Sequence, residues 1–359
     1  MAPIPKTMFG VVIPRPGGPE VLEYRTDLPV PSLGEGHILV RNEYIGVNYI
    51  DTYFRTGLYK PRSPSSDSNH PSTSSHDTSS PYPLITGKEA SGVISASSHP
   101  SFPVGARVVY LADATYAQFT LLTSPQIQAT LLPACGRISP ETACAAHLQG
   151  LTALTFIREA AGIRQQLGIS EGPWTLVHAA AGGTGSMLVQ ILVIMGAKII
   201  ATAGGKQKCE RAKRLGAQWV VDSTLPQEEV IRQVKEITSG RGVDVVFDGV
   251  GKATFETVDL EIVARKGMVI VFGNASGPVG PVDLFRLMPK NIKIMRPSMP
   301  GYITTPEEKE RFTSELFDFL VKGKIRANIH KVYPLKDVAQ AHMDLESRKT
   351  TGKLLLKVE

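Results

Sequence analysis

Apolar and amphipathic segments alternate in a regular series along the chain from Trp174 onwards. The segments that read as strands are WTLVHA, AKIIATA, QWVVDS, VDVVFDGV and GMVIVFG, and helical patterns such as KQKCERAKRLG and PQEEVIRQVKEITSG separate them. Continuously apolar strands that alternate with helices form parallel sheets covered on both faces. The series therefore predicts an α/β domain built on a doubly wound parallel sheet.

The regions on either side of this series have a different character. Before it, short β-rich segments are broken by glycine and proline, and after about Pro297 the pattern becomes mixed again. We therefore predict a nucleotide-type domain at 147–297, inserted into a mainly β domain formed by 1–146 and 298–359. Residues 60–83 consist mostly of Ser, Pro, Thr and His, which predicts a flexible surface loop.

A glycine-rich turn, VHAAAGGTGSMLVQ, joins the first strand of the series to its first helix. Glycines at such a turn let the backbone approach a pyrophosphate, and the following helix directs its N–H groups at the phosphates. Ala179 stands where the first glycine of a dinucleotide fingerprint is usual, which the turn tolerates if its φ stays negative. The residues predicted to contact the cofactor here are Ala181, Gly182, Gly183, Thr184 and Gly185.

The end of the second strand indicates which nucleotide is bound. NAD sites usually carry an acid there for the ribose 2′-hydroxyl, but IIATAGGKQK contains none before Glu210. Lys206 and Lys208 instead supply positive charge where a 2′-phosphate would lie, beside backbone donors at Gly204 and Gly205. The pattern therefore favours NADPH.

Composition and charge exclude several classes of protein. The apolar fraction is 42% and the net charge is +6, with no dense basic run. We find neither an apolar run long enough to span a membrane nor a secretory signal, and the three cysteines form no CxxC pair. We expect a cytoplasmic globular protein without a structural metal.

Eight stretches together resemble the zeta-crystallin-type quinone oxidoreductases, most of all the fungal ones. These are zinc-independent members of the medium-chain dehydrogenase/reductase superfamily. The stretches are YIGVNYIDTYFRTGLY, TGKEASGVI, HLQGLTAL, VHAAAGGTGSMLVQ, RLGAQWVVD, VFDGVGKATFE, VFGNASGPV and ESRKTTGKLLL. The resemblance implies a GroES-like catalytic domain, a Rossmann domain, an NADPH-filled cleft between them and a homodimer. It also implies that NADPH reduces quinones without a metal, because Lys88 replaces a zinc-binding histidine of the metal-dependent relatives.

The resemblance also implies individual roles. Asn48, Asp51 and Tyr53 would line the nicotinamide end of the cofactor. Tyr59 is the first candidate for the proton donor, since its stretch aligns with related enoyl reductases, and Tyr53 is the second; Asn48 would orient cofactor or substrate. The remaining residues expected at the cofactor are Thr152, Lys208, Phe272, Asn274, Ser276 and Arg348. Ser223 replaces a tyrosine that contacts the 2′-phosphate in many relatives, so this chain is expected to depend more on Lys206.

Two other functions remain open from the sequence alone. An enoyl or enone reductase of a polyketide or fatty-acid pathway would use the same scaffold. Binding of AU-rich RNA, which occurs in some zeta-crystallin-type proteins, would suit the basic balance as a secondary activity, although no RNA-binding module is present. His178, His147 and Asp248 more often serve packing than catalysis at such positions.

Overall fold

The computed structural model describes residues 3–60, 82–123, 128–133, 136–164 and 172–359. All but three residues of the loop predicted at 60–83 lie outside the described residues. The chain divides into two compact units. The first, here called the β unit, comprises Met1–Ala145, Lys331–Lys349 and Leu354–Glu359, and the second, the α/β unit, comprises Ala146–His330 and Thr350–Lys353.

Within the described residues, the first part of the chain contains eight strands and one short α-helix. These elements are β1 (Thr7–Ile13), β2 (Glu23–Pro29), β3 (Ile38–Val47), α1 (Tyr49–Arg55), β4 (Leu84–Ile85), β5 (Glu89–Ser97), β6 (Arg107–Leu111), β7 (Phe119–Leu122) and β8 (Ala129–Leu131).

The strands and helices then alternate, as the sequence predicts. The elements are α2 (Pro140–Thr155), β9 (Trp174–Val177), α3 (Gly183–Ile194), β10 (Lys198–Ala203), α4 (Lys206–Arg214), β11 (Trp219–Asp222), α5 (Gln227–Ile237), β12 (Val243–Asp248), α6 (Leu260–Ile262), β13 (Val263–Val271), β14 (Lys293–Met295), α7 (Pro306–Val321), β15 (Ile329–Pro334), α8 (Val338–Glu346) and β16 (Lys353–Lys357).

The β unit is organised around a seven-stranded sheet. Its strand order is β15-β16-β3-β5-β6-β8, with β7 also paired to β3, and β2-β1-β4 form a smaller sheet. The long strand β3 pairs antiparallel with β5, β7 and β16. Apolar side chains of these strands, including Ile38, Val40, Ile45 and Leu354, are buried in one core.

The α/β unit contains a six-stranded sheet in the order β11-β10-β9-β12-β13-β14. Neighbouring strands are parallel throughout. This is the strand order of a Rossmann fold, and it confirms the predicted doubly wound sheet. The order reverses between β9 and β12, and ligands of such sheets bind at the carboxyl ends of the strands beside this point.

Residues 298–330 belong to the α/β unit, although the sequence pattern suggested the mainly β domain. The reason is the packing of α7 within that unit: Leu316 lies against Gly150 and the ring of Phe317 lies 6.3 Å from that of His147. Arg311 adds an ion pair to Glu159. His147 lies inside α2.

A short C-terminal segment completes the α/β unit. Gly352 donates its N–H to the carbonyl of Ala181 at 3.0 Å, and Gly182 and Gly352 form an isolated parallel bridge. The following residues of β16 pair with β3, with Leu354 opposite Val47. No helix in the described part of the chain is long and apolar enough to cross a membrane.

Candidate functional site

The turn after β9 reverses the chain within a few residues. Ala179 adopts a left-handed conformation with φ 50°, so the expected negative φ is wrong. Gly182 N–H donates to the Ala179 carbonyl at 2.9 Å, and Ala180 N–H donates to the Thr202 carbonyl at 3.0 Å. The turn thus needs a left-handed residue at this place. Alanine meets this need at a cost of about 1 kcal/mol because its methyl group is small and the residue is exposed.

The three glycines of the turn differ in what surrounds them. A Cβ on Gly185 would lie 2.3 Å from the Ala179 carbonyl oxygen, so only glycine allows this approach of helix to turn. A Cβ on Gly183 would meet the movable amide of Gln149. A Cβ on Gly182 would lie 3.1 Å from the Ala179 carbonyl oxygen, a tight contact but a looser one than at Gly185. Packing within the protein therefore restricts Gly182 less than Gly185, and a close ligand would be a second reason for glycine there.

The beginning of α3 is suited to an anion. Gly183, Thr184 and Gly185 are the first three residues of the helix, and such N–H groups have no acceptor within their own helix. No acidic side chain lies in this first turn, so the positive end of the helix dipole is not neutralised there. The residues predicted from the sequence, from Ala181 to Gly185, are thus brought together in a cradle that fits a pyrophosphate.

The end of β10 leads directly into the positively charged start of α4. Lys206 is exposed, Lys208 is half-buried, and a Cβ on Gly204 would lie 3.6 Å from the hydroxyl of Ser223. The Gly205 N–H donates to Asp222 Oδ1 at 2.9 Å. It is therefore not the open phosphate donor that the sequence suggested.

Asp222 is a residue of this site that the sequence reasoning missed. It also accepts hydrogen bonds from the N–H and hydroxyl of Thr224, and the N–H groups of Gly205 and Thr224 lower the pKa of the carboxyl group. The D-x-T pattern in VVDST is a local signal of such a turn. Its contact with Gly205, however, depends on the pairing of β10 with β11.

A buried polar chain lies at the point where the strand order reverses. His178 Nδ1 lies 2.8 Å from Thr202 Oγ1, and its Nε2 lies 2.7 Å from Asp259 Oδ1. Burial, against the opposing effect of His178 and with a contribution from nearby Asp248, raises the pKa of Asp259 to about 7. Asp248 in turn accepts from the hydroxyl of Thr254 at 2.9 Å. His178 and Asp248 thus brace the strand ends next to the glycine turn.

The loop after β13 holds three of the predicted cofactor residues together. The ring of Phe272 lies 5.5 Å from that of Phe156. Asn274 is buried and its Oδ1 accepts from Arg296 at 3.1 Å. The hydroxyl of Ser276 donates to the Val250 carbonyl at 2.8 Å.

Two of the predicted hydroxyl contacts therefore also have a role within the protein. Ser276 accepts from the N–H of Ala253 as well, so its hydroxyl ties the loops after β12 and β13 together. Thr152 Oγ1 donates to the Leu148 carbonyl of its own helix at 2.6 Å. Either hydroxyl would share its hydrogen bonds with a bound cofactor.

In the β unit, Asn48 and Asp51 form the start of α1. Asn48 N–H donates to Asp51 Oδ2 at 2.8 Å, and Asn48 Nδ2 donates to Glu89 Oε1 at 2.9 Å. All three side chains are buried. This capping arrangement fixes the first turn of a helix that is too short to be stable by itself.

The two candidate tyrosines lie side by side at the end of α1. Their rings are 5.2 Å apart, and Tyr59 N–H donates to the Tyr53 carbonyl at 3.0 Å. Tyr53 is buried, whereas Tyr59 is half-buried. Phe54 packs edge-on against Tyr59, with ring centroids 5.9 Å apart. The structure thus brings the predicted residues of the nicotinamide end together on one short helix and the turn after it.

Lys88 completes this aromatic group. Its ammonium forms an ion pair with Asp113 and lies 4.1 Å from the centre of the Phe54 ring. A charged and paired ammonium does not fit the zinc site that the metal-dependent relatives have at this turn, and the described residues contain no group of three His, Cys, Asp or Glu side chains that could hold a metal ion. Arg348, in the same unit, follows α8 and is exposed in a left-handed conformation.

The comparisons with known proteins agree with this architecture. Residues 34–129 match the family model of the alcohol dehydrogenase GroES-like domain, and residues 183–318 match that of the zinc-binding dehydrogenases. The chain is 39% identical to a quinone oxidoreductase of Salmonella typhimurium over 95% of its length and 96% of the relative. It is 29% identical to a 2-haloacrylate reductase of a Burkholderia species, over 97% and 98% of the two chains.

A solved structure of similar length is that of an Escherichia coli quinone oxidoreductase complexed with NADPH. It shares 36% identity with this chain, and the comparison covers 97% of this chain and 99% of that chain with a TM-score of 0.83. The chain shares its pair of GroES-like and Rossmann domains with these quinone oxidoreductases. Identity and coverage of this extent place it in the same family as them. It belongs to the zeta-crystallin-type quinone oxidoreductases of the medium-chain dehydrogenase/reductase superfamily.

Proposed function

We propose that this protein is a reductase that uses NADPH to reduce quinones and needs no metal. The observation that carries the proposal is the glycine cradle before α3, at the reversal of strand order, next to the lysines at the start of α4. Within it, packing restricts Gly182 less than Gly185, so the approach of a ligand would be a second reason for glycine at Gly182. The NADPH complex of the related Escherichia coli enzyme supports the same conclusion.

The cofactor preference follows from charge at the start of α4. The 2′-phosphate of NADPH carries about two negative charges at neutral pH. Lys208 and Lys206 would bind it by charge-assisted hydrogen bonds. Ser223 is close enough to Gly204 to add a hydroxyl at the same place. Three hydrogen bonds fix one oxygen of Asp222 against Gly205 and Thr224, so this carboxylate is held by the protein itself.

Bound NADPH supplies a hydride to an electron-poor carbon of the substrate. The β unit would supply a hydroxyl group that donates to the substrate oxygen on which negative charge develops. Tyr59 is the first candidate for this group and Tyr53 the second. Asn48 and Asp51 would fix the start of α1 and orient the nicotinamide end. Thr152, Phe272, Asn274, Ser276 and Arg348 are proposed as further contacts of the cofactor.

A second reaction remains a candidate because of Tyr59. Quinones are reduced easily and need little more than proximity, whereas an enone needs a proton donor near the carbonyl or at the carbon next to it. The half-buried Tyr59, backed by Phe54 and Lys88, is suited to such a donor. The 2-haloacrylate reductase among the relatives supports an activity on conjugated alkenes.

The experiment is the oxidation of NADPH by the purified protein, followed at its nicotinamide absorbance. Phenanthrenequinone and a simple enone would be compared, with NADH as the alternative cofactor. Fast turnover of the quinone that Tyr59→Phe leaves nearly unchanged supports reduction by proximity. Turnover of the enone that the same change abolishes identifies an enone reductase. If NADPH binds but neither substrate is reduced, the proposed function is wrong.

We also propose that the protein is a homodimer. Leu284, Phe285 and Met288 expose 73%, 77% and 66% of their surface on a short 3₁₀ helix before β14, which is the edge strand of the six-stranded sheet. Large apolar side chains beside an edge strand suit the pairing of two sheets. Light scattering of the purified protein tests this by its molar mass.

A further inference from the structure

The β unit contains a buried charge that the proposed reaction does not use. The guanidinium of Arg55, at the end of α1, is 2% exposed. Its Nε donates to the Gly17 carbonyl at 3.2 Å, and its two terminal nitrogens donate to Glu346 of α8 at 3.0 and 2.8 Å. The first of these nitrogens also lies 3.0 Å from His342 Nδ1. Arg55 thus connects α1 with two distant parts of the chain.

The hydrogen-bond directions beyond Arg55 are determined by chemistry. A guanidinium only donates, so His342 Nδ1 accepts. Burial, together with nearby Arg55, lowers the pKa of His342 to about 3, so the ring is neutral and carries its proton on Nε2. This nitrogen lies 3.0 Å from the hydroxyl of Tyr116, which therefore accepts from it and donates to Asp51 Oδ2 at 2.9 Å.

The chain of hydrogen bonds ends where α1 begins. The same Oδ2 of Asp51 accepts the N–H of Asn48. Asp51 and Arg55 are one turn apart, so α1 is held near its start through Tyr116 and at its end through Arg55. Both of these contacts meet at His342 of α8. A helix of seven residues has no intrinsic stability in water and depends on such contacts for its place.

We propose that Tyr116 and His342 are positioning residues that hold α1, and with it Asn48 and Tyr53, in the arrangement needed for hydride transfer. The inference rests on the proposed function, because Asn48 and Tyr53 are assigned there to the nicotinamide end. Neither Tyr116 nor His342 needs to touch the substrate. Their effect is on the placement of α1, and a displacement of about 1 Å at a reacting centre can cost up to about a hundredfold in rate.

A matched control separates positioning from stability. Tyr333 is also buried, and it also donates its hydroxyl to a carboxylate, that of Asp344 on α8, at 2.6 Å. Tyr333→Phe and Tyr116→Phe thus both remove a buried hydroxyl that donates to a carboxylate. The hydroxyl of Tyr116 donates to Asp51 of α1, whereas that of Tyr333 donates to Asp344 of α8.

The experiment measures quinone reduction at saturating NADPH, together with NADPH affinity and the unfolding temperature. We expect Tyr116→Phe to lower kcat about tenfold or more, with NADPH affinity within about twofold of wild type. Tyr333→Phe should leave kcat within about twofold and lower the unfolding temperature less than Tyr116→Phe, which also removes the acceptor of His342 Nε2. The proposal is overturned if Tyr116→Phe retains wild-type kcat or if both variants lose it equally.

Substitutions of His342 provide a rescue test. Glutamine presents one acceptor and one donor, as the neutral ring does, so His342→Gln should keep kcat within about threefold of wild type. His342→Leu removes both hydrogen bonds and should lose kcat as Tyr116→Phe does. Equal activity of the glutamine and leucine variants would show that the hydrogen bonds do not position α1.

Hydrogen exchange keeps the inference testable if the wild-type protein reduces no quinone, which is the failure of the proposed function. The amides of Tyr49–Arg55 should exchange faster in Tyr116→Phe than in wild type, and at the wild-type rate in Tyr333→Phe. Unchanged exchange of this segment in Tyr116→Phe would reject the positioning role whether or not the protein is active.

Discussion

Replacing Asp259 by asparagine should stabilise the protein at neutral and alkaline pH. Asp259 is fully buried, with Oδ1 2.7 Å from His178 Nε2, and burial and nearby Asp248 raise its pKa. Its other oxygen, Oδ2, is buried without a hydrogen-bond partner among the described residues, so the carboxyl group gains no compensation there when it ionises. An asparagine has nearly the same shape, accepts from His178 with its oxygen and carries no charge at any pH.

The size of the effect follows from the pKa. The carboxyl group has an ordinary pKa of 3.8 and a pKa of about 7 in the fold. Because the folded value is the higher one, the bound proton stabilises the fold fully below the ordinary value, and this contribution is lost as pH rises to about 7. The whole interval corresponds to about 4 kcal/mol, of which about 3 kcal/mol falls between pH 5 and pH 8. An asparagine at this position does not ionise, so the variant should not lose this stability as pH rises.

The assay is the unfolding temperature of wild type and Asp259→Asn at pH 5 and pH 8. The variant should gain roughly 6 °C relative to wild type between the two values. Asp318→Asn is the control: it removes an exposed ion pair with Lys322 and should shift the unfolding temperature little at either pH. If Asp259→Asn is destabilised more at pH 8 than at pH 5, Asp259 acts as a buried anion paired with imidazolium, and the reasoning fails.

Four further predictions concern the cofactor and the subunit contact. Gly185→Ala would place a Cβ 2.3 Å from the Ala179 carbonyl oxygen, so NADPH affinity in a fluorescence titration should fall about tenfold or more and the unfolding temperature should drop. Gly182→Ala is its counterpart: it should also weaken NADPH binding but lower the unfolding temperature less than Gly185→Ala, because its Cβ would lie 3.1 Å from the same oxygen; unchanged affinity would contradict the cradle. Lys208→Ala should reduce the preference for NADPH over NADH in kcat/KM about tenfold, whereas an equal loss with both cofactors would exclude a contact to the 2′-phosphate. Phe285→Glu should halve the molar mass in light scattering if its apolar surface lies between subunits.

The sheet of the α/β unit can be predicted from sequence because its signal is local. Buried strands such as β10 and β12 are mostly apolar, and amphipathic helices such as α5 separate them, so period and length determine the type of each element. The glycine turn is predictable for the same reason, since it lies between a recognisable strand and helix.

The features that the sequence does not predict depend on contacts between distant residues. Ala179 is left-handed because α3 closely approaches the turn. The conformational preference of a single residue carries no information about such an approach. Asp222 reaches Gly205 only because β10 and β11 are neighbours in the sheet. The grouping of α7 with the α/β unit depends on which helix its apolar face meets, and amphipathic periodicity does not specify the partner.

The hydrogen bond from Gly352 to Ala181 has a consequence for synthesis of the chain. The residues of the glycine cradle are translated long before Gly352, so the cradle lacks this donor until the segment around Gly352 has left the ribosome. Strand β3 likewise lacks its partner β16 until that strand has been translated and has left the ribosome. Folding on the ribosome should therefore yield units with incomplete sheets. A nascent chain whose β16 is kept inside the exit tunnel should not bind NADPH tightly.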